Sequence, residues 1–354
     1  MNRIRRLKGS LMLLLAAFFW GTTFAAQSTA ADSIPLFTFN AARSFVGAAF
    51  LGILILIRQG SRKGKAGSDS GVGQKRGAVS GGKRQEGEVC GGKRQEGEAF
   101  GGKRQECEVF GGKRQGGAVF GGSICGVVLF AAMSFQQGGI TAYPEGAAAS
   151  GRSGFLTATY VVMVAVCARF LGKKLHKSVY AAVAVCIVGM YLLCMAGGVG
   201  EIYFGDALGL ICAVFFTVHI LVVDHFSYCE SIRLSCMQFL VCGILSTVAM
   251  LLFEQPDLHM LPGMLLAAAG PILYAGILSS GIAFTLQMEG QKFAEPSVAA
   301  VIMSLESVFA VLGGWIVLGE RLSARELAGC ALVFAAVILA QLPHKEQDQG
   351  SAVV

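Results

Sequence analysis

Charge is scarce in this sequence. Asp, Glu, Lys and Arg make up 14% of its 354 residues, against roughly a quarter of an ordinary soluble domain. Proline (7) and tryptophan (2) are also few. No GxxxxGK[ST], HExxH or GxSxG motif occurs, so nothing points to a phosphate loop, a zinc protease or a nucleophile elbow. The 11 cysteines are scattered without CxxC or Cys/His spacing. Several (Cys167, Cys186, Cys194, Cys212, Cys242 and Cys330) lie inside apolar runs, where a thiol is a small hydrophobe rather than a bridge or ligand. These absences exclude a soluble globular enzyme, a disulfide scaffold and a metal site, and they imply no cofactor.

What is present is apolar bulk: 54% of residues are hydrophobic, interleaved with 48 Gly. Small residues suit helices that pack closely in lipid. Crossing the hydrocarbon core takes about 20 apolar residues. Ten stretches qualify, at about 9–29, 35–57, 122–142, 150–171, 178–196, 205–225, 234–253, 263–287, 296–318 and 324–342. Pro35, Pro144, Pro256, Pro262 and Pro296 fall at their edges, where a missing N–H costs little. The first run follows MNRIRRLK, but its length, Trp20 and lack of a small-x-small cleavage site favour a transmembrane helix over a signal peptide.

The net charge of +7 is local. Residues 58–121 hold 14 Lys and Arg against 7 Asp and Glu, and elsewhere the signs cancel. This excludes a nucleic-acid face. The segment repeats a decapeptide, GGKRQEGEVC, GGKRQEGEAF, GGKRQECEVF and GGKRQGGAVF, from Gly81, Gly91, Gly101 and Gly111. Gly-rich and polar, it cannot bury enough surface to offset chain entropy, so disorder is expected. It reads as a tolerated loop expansion, with a basic arm touching anionic lipid as the alternative. Leaving it aside, ten basic residues (Arg3, Arg5, Arg6, Lys8, Lys173, Lys174, Lys177, Arg233, Lys292 and Lys345) flank the spans on one side. Arg321 and Arg325 flank them on the other. The excess marks the cytoplasmic side and puts both termini there.

A longer repeat divides the chain. AAFFWGTTF (16–24) resembles AVFFTVHIL (213–221), QQGG (136–139) resembles QMEG (287–290), and LGKKL (171–175) resembles LGERL (318–322). Spans 1, 3 and 4 thus match spans 6, 8 and 9. Five spans per half is odd, so the second half enters the membrane inverted, a signature of secondary transporters with a midplane site. The organisation read is spans 1–2 (1–57), the repeat loop (58–121), spans 3–5 (122–196), a second five-span repeat (204–342) and a tail (343–354). The fold class is an all-α integral membrane protein with ten transmembrane helices as two inverted five-helix repeats.

With WGTTF (20–24), PLFTFNAARSF (35–45), GFLTATYVV (154–162), GDALGLICAVFF (205–216), YAGILSSGIAFTLQMEGQKFAEPS (274–297) and SLESVFAVLGGWIVLGERL (304–322), the chain resembles the EamA-like branch of the drug/metabolite transporter superfamily. The resemblance implies a permease in which spans 1–4 and 6–9 enclose a cavity and spans 5 and 10 are peripheral. Relatives of this kind often export amino acids or other small metabolites. The family often has Pro at the positions of Ser307 and Ala165 here; losing both implies straighter helices.

Eight residues are candidates for binding or coupling. Glu306 sits about ten residues into span 9, near the midplane, where a charge costs about 2.5–3.5 kcal/mol or more and calls for a use as substrate contact or proton carrier. A structural carboxyl is the alternative. Arg43, eight residues into span 2, could hold a substrate carboxylate with its fork, or could snorkel or pair with Glu306. Trp20, Asn40, Gln136, Tyr160, His219 and Gln287 interrupt apolar spans and should face the bundle interior, as ligands or as interhelical glue. Asp206 reads as a helix cap, and Trp315 as packing.

The reading is a permease of the cytoplasmic membrane that exports a small organic metabolite, an amino acid or related compound, by alternating access. The expected partners are the metabolite, a coupled proton, membrane lipid and a second copy in a homodimer, with no nucleic acid. A nucleotide-sugar or lipid-intermediate transporter is an alternative, as is a non-transporting sensor or scaffold that works through its basic loop.

Overall fold

The computed structural model describes residues 3–31, 33–69, 111–143, 149–172, 177–194, 203–257, 259–318 and 324–341. All regular elements among them are helical. They are α1 (Arg3–Ala31), α2 (Leu36–Asp69), α3 (Gly111–Thr141), α4 (Ala149–Ala158), α5 (Tyr160–Phe170), α6 (Lys177–Cys194), α7 (Phe204–His225), α8 (Ser231–Ala249), α9 (Leu261–Ala267), α10 (Ala269–Leu273), α11 (Phe284–Gln291), α12 (Pro296–Met303), α13 (Leu305–Leu318) and α14 (Ala324–Gln341). A π-helical turn, Met250–Glu254, extends α8, and a π-helical stretch, Tyr274–Ala283, joins α10 to α11.

Eight stretches among the described residues are long and apolar enough to cross a membrane, from Ile4–Ala31 to Pro296–Gly313; Lys177–Leu192 and Leu327–Ala340 are shorter apolar helices. Leu56, Phe170, Phe253, Leu266 and Ile316 stand exposed on the outside of the bundle. A soluble monomer seldom presents so much apolar surface, whereas lipid tails cover it. The protein is a multi-pass membrane protein.

The repeat segment is shorter as a loop than the sequence suggested. α2 runs on to Asp69, and the fourth decapeptide, from Gly111, opens α3. That copy has exchanged its acidic residues for GGAVF. Its Ala118 is buried beside Cys125 and Phe226, and Phe120 meets the Phe226 ring edge-on at 6.1 Å. Apolar contact draws it into the bundle. The other three copies, and the disorder expected of them, lie outside the described residues. So do Lys173, Lys174 and the LGERL residues from Gly319 onward.

Spans 4 and 9 are each interrupted although they lack those prolines. Each is divided: α4 from α5 at Thr159 (φ −61°, ψ −11°), and α12 from α13 at Ser304 (φ −61°, ψ −12°). At both places the backbone tightens to three-residue bonds, Val162 N to Thr159 O (3.0 Å) and Ser307 N to Ser304 O (3.1 Å). Hydroxyls supply the cause. Thr159 Oγ1 donates to Leu156 O, Ser304 Oγ to Val301 O (2.7 Å) and Ser307 Oγ to Ser304 O (2.8 Å). Such back-bonding competes with the helical ladder and bends it.

The largest apolar cluster gathers residues of α1, α4, α5, α6, α7, α12, α13 and α14. α6 packs along α14, α3 along α7 and α8, and α2 along α8. α1 lies among α11, α12 and α13. Its close approach to α13 depends on Gly21: a Cβ there would run into the Glu306 carbonyl and Phe309.

Candidate functional site

α1, α2, α3, α4, α5, α7, α11, α13 and the π-helical Tyr274–Ala283 stretch surround one buried cavity. Six of the eight candidates line it: Trp20, Arg43, Gln136, Tyr160, Gln287 and Glu306. The cavity has a volume of about 30 Å3. One water needs ~10–15 Å3 by that measure. That is room for about two or three waters, so cargo of metabolite size requires the helices to part.

Glu306 occupies the first turn of α13, just past the Ser304 kink, and is 4% exposed. Its Oε1 has no hydrogen-bond partner among the described residues. Tyr160, the first residue after the matching kink, lies beside it, but its hydroxyl falls short of hydrogen-bond geometry. The two kinks thus bring a phenol and a carboxyl together from spans 4 and 9.

Arg43 is buried on α2. Its Nη2 donates to Ser279 Oγ at 3.4 Å, and its guanidinium carbon stands 5.8 Å from the centre of the Phe39 ring. Nε and Nη1 have no partner among the described residues. Arg43 and Glu306 therefore share a cavity without pairing. Gln287 Oε1 and Trp20 Nε1 are likewise unpartnered there. The Trp20 ring rests on Phe284 at 4.7 Å. Phe24, Met133, Phe216 and Ile220 complete the apolar walls. The arrangement is an apolar box holding one cationic donor, one carboxyl and a few unused polar atoms, the composition of a site for a small polar ligand.

Asn40 and His219 do not line the cavity. Asn40 Nδ2 donates to Met133 O at 3.3 Å, fastening α2 to α3. His219 Nε2 meets Gln238 Oε1 at 3.0 Å, fastening α7 to α8. Asp206 is the cap expected, accepting Tyr203 N at 3.0 Å and the Tyr143 hydroxyl at 2.7 Å. Trp315 is half exposed on the outer surface.

The lining also contains Thr23, Gln27, Thr157 and Ser279, which the sequence reading passed over. For two of them a signal existed: Trp20, Thr23 and Gln27 fall on one helix face at three- and seven-residue spacing. Gln27 Nε2 donates to Gln137 Oε1 at 3.1 Å, closing the cavity between α1 and α3.

Comparison with known proteins agrees with this architecture. An uncharacterized transporter of Archaeoglobus fulgidus is 26% identical over 341 residues, 96% of this chain and 87% of that protein. A protein of known crystal structure superimposes with a TM-score of 0.62 at 18% identity, covering 94% of this chain and 98% of the other; that likeness bears on the fold alone. A model of the EamA-like transporter family matches residues 7–71 and 203–342, more than half of the sequence, flanking the decapeptide repeats. By that match the chain belongs to the EamA-like transporter family, membrane transporters of the drug/metabolite type.

Proposed function

We propose that this transporter is a secondary-active permease that exports a small organic metabolite, an amino acid or close relative, across the cytoplasmic membrane. It does so by alternating access of ten spans arranged as two inverted five-helix repeats. The observation that carries the reading is that Arg43, with Nε and Nη1 unpartnered, shares a small cavity with Glu306, whose Oε1 is unpartnered. A buried charge without a partner is costly, and a ligand offering a carboxylate to Arg43 and an ammonium or a proton to Glu306 offsets both costs. A single guanidinium suits one carboxylate better than a nucleotide diphosphate, which favours the amino-acid class over a nucleotide sugar. The small-residue α1–α13 contact and the kinks at Thr159 and Ser304 support a bundle whose halves move about the site.

Metabolite profiling of cells with and without the protein selects the substrate, and proteoliposomes then measure its flux across a pH series. Glu306→Gln is expected to insert at wild-type levels and to lose most coupled transport, the remainder depending less on pH because an amide does not titrate. A Gln variant with wild-type rate and pH dependence would reduce Glu306 to a structural residue.

A further inference from the structure

Beyond the cavity, the seam between α7, α8 and α11 buries polar side chains that no described neighbour satisfies. His219 is fully buried; with Nε2 bonded to Gln238 Oε1, its Nδ1 is left without a partner, as is Gln238 Nε2. Gln291 Nε2 donates to Ile220 O at 3.3 Å, leaving its Oε1 unpartnered, and Ser235 Oγ is unpartnered too. A serine hydroxyl can turn to its own helix, but an imidazole nitrogen and two amide groups cannot. Together they offer donors and acceptors in one place, a set that water satisfies and an apolar seam does not.

The cluster has a direction. Ser231, Ser235 and Gln238 share one face of α8 at four- and three-residue spacing. Ser231 Oγ donates to Glu289 Oε2 (2.6 Å), which also pairs with the partly exposed Lys292 Nζ (2.8 Å), so the stripe begins at the surface. It ends at Phe284, whose ring meets His219 edge-on at 5.6 Å and Phe239 at 5.2 Å on one side and Trp20 at 4.7 Å on the cavity side. At the opposite end of the protein, two carboxylates tie helices together. The Glu254 carboxylate accepts Phe37 N, Thr38 N and Thr38 Oγ1, tying α8 to the start of α2. Asp206 ties α7 to Tyr143 beyond α3.

We propose that the α7–α8–α11 seam is a water-entered passage joining the central cavity to the Lys292 end of the protein, with the Phe284 ring as its gate. The inference rests on the transport reading, since a cavity too small for its cargo must open toward one end. From this conformation the α7–α8–α11 end is the one whose buried imidazole and amide groups gain partners when it opens, while opening the other end would break the Glu254 and Asp206 ties.

The test reads water rather than flux. Ser235→Cys and, as a control, Leu234→Cys, at a buried apolar position of the same helix turn, are treated in sealed vesicles. A charged, impermeant methanethiosulfonate is supplied on the Lys292 side, and peptide mass spectrometry separates the introduced thiols from native ones. Modification at 235 is expected at least about tenfold faster than at 234, because the reaction needs a hydrated thiolate. Phe284→Ala is expected to extend labelling to Gln287→Cys on the cavity side. Should a variant misfold, radiolytic hydroxyl-radical footprinting of the wild-type protein serves the same purpose. His219 should be modified well above Met190, buried in the α6 core, each scaled to its rate in denatured protein. Equal rates at 235 and 234, or a His219 as shielded as Met190, overturn the passage. Labelling as expected in vesicles that move no metabolite leaves the passage standing and removes the transport reading.

Discussion

A single guanidinium sets the chemistry of the cavity. Arg43 is 3% exposed, with one weak hydrogen bond and two nitrogens unused. Leaving a buried charge uncompensated costs several kcal/mol, so packing does not explain it, whereas a planar fork poised for a carboxylate does. Arg43→Lys retains the charge and loses the fork. It is expected to raise KM at least about tenfold, ~1.4 kcal/mol of binding, with kcat less affected. Arg43→Met should insert as well as wild type and lose transport. Proteoliposome kinetics decide, and an unchanged KM in Arg43→Lys would assign the residue to helix packing. Arg43 and Glu306 were legible in the sequence because a charge in an apolar run stands out whatever the fold. Asn40 and His219 stand out equally and yet bond to neighbouring helices, because a one-dimensional pattern shows that a group faces inward but not whether it meets a helix or a void. Thr157 and Ser279 escaped notice for the opposite reason: hydroxyls in membrane helices are common and usually serve their own backbone.

At the scale of elements, the sequence delivered the helices and misjudged their shape. Most span ends lie within a few residues of the observed ones because the apolar-to-polar change and the edge prolines mark them, while α2 and α3 extend well past theirs into the repeat segment. The kinks at Thr159 and Ser304 were hidden because proline was taken as their only agent, while hydroxyl back-bonding does the same locally. A double substitution separates shape from chemistry. Ser304→Ala with Ser307→Ala removes two hydroxyls that bond only their own helix carbonyls or Cys186, so stability should change by about 1 kcal/mol or less. The regular ladder should return and carry Glu306 away from Tyr160, and transport should fall at least severalfold at normal expression. Ser307→Pro should retain the kink and most activity, since it sacrifices only the Ser307 N to Ser304 O bond. Flux with melting temperatures for both variants checks this; a fully active, equally stable double Ala variant would show that the bend has no role.

At the scale of the molecule, orientation and the inserted loop are the open quantities. The ten-to-two basic asymmetry predicts both termini on the cytoplasmic side. A C-terminal reporter active only in the cytoplasm should light up, and one active only outside should stay dark; the reverse result inverts the topology. The inserted segment gives way to α3 at Gly111. The sequence placed its boundary at 121, yet the fourth decapeptide belongs to α3: Ala118 is buried, Phe120 meets Phe226, and Gly117 lies against Tyr228 and Cys229. Replacing residues 71–110 with a flexible linker of about ten residues should leave expression, melting temperature and transport near wild type, since long loop insertions change closure entropy little. Extending the deletion to Phe120 removes the first turns of α3 and the lid over Cys125 and Phe226. By loss of that burial it should cost about 2 kcal/mol or more, with lower membrane levels to match. A scaffold working through its basic arm predicts the opposite pattern, with function lost already in the shorter deletion while the protein remains folded. Membrane abundance, melting temperature and flux on both deletions separate the two readings.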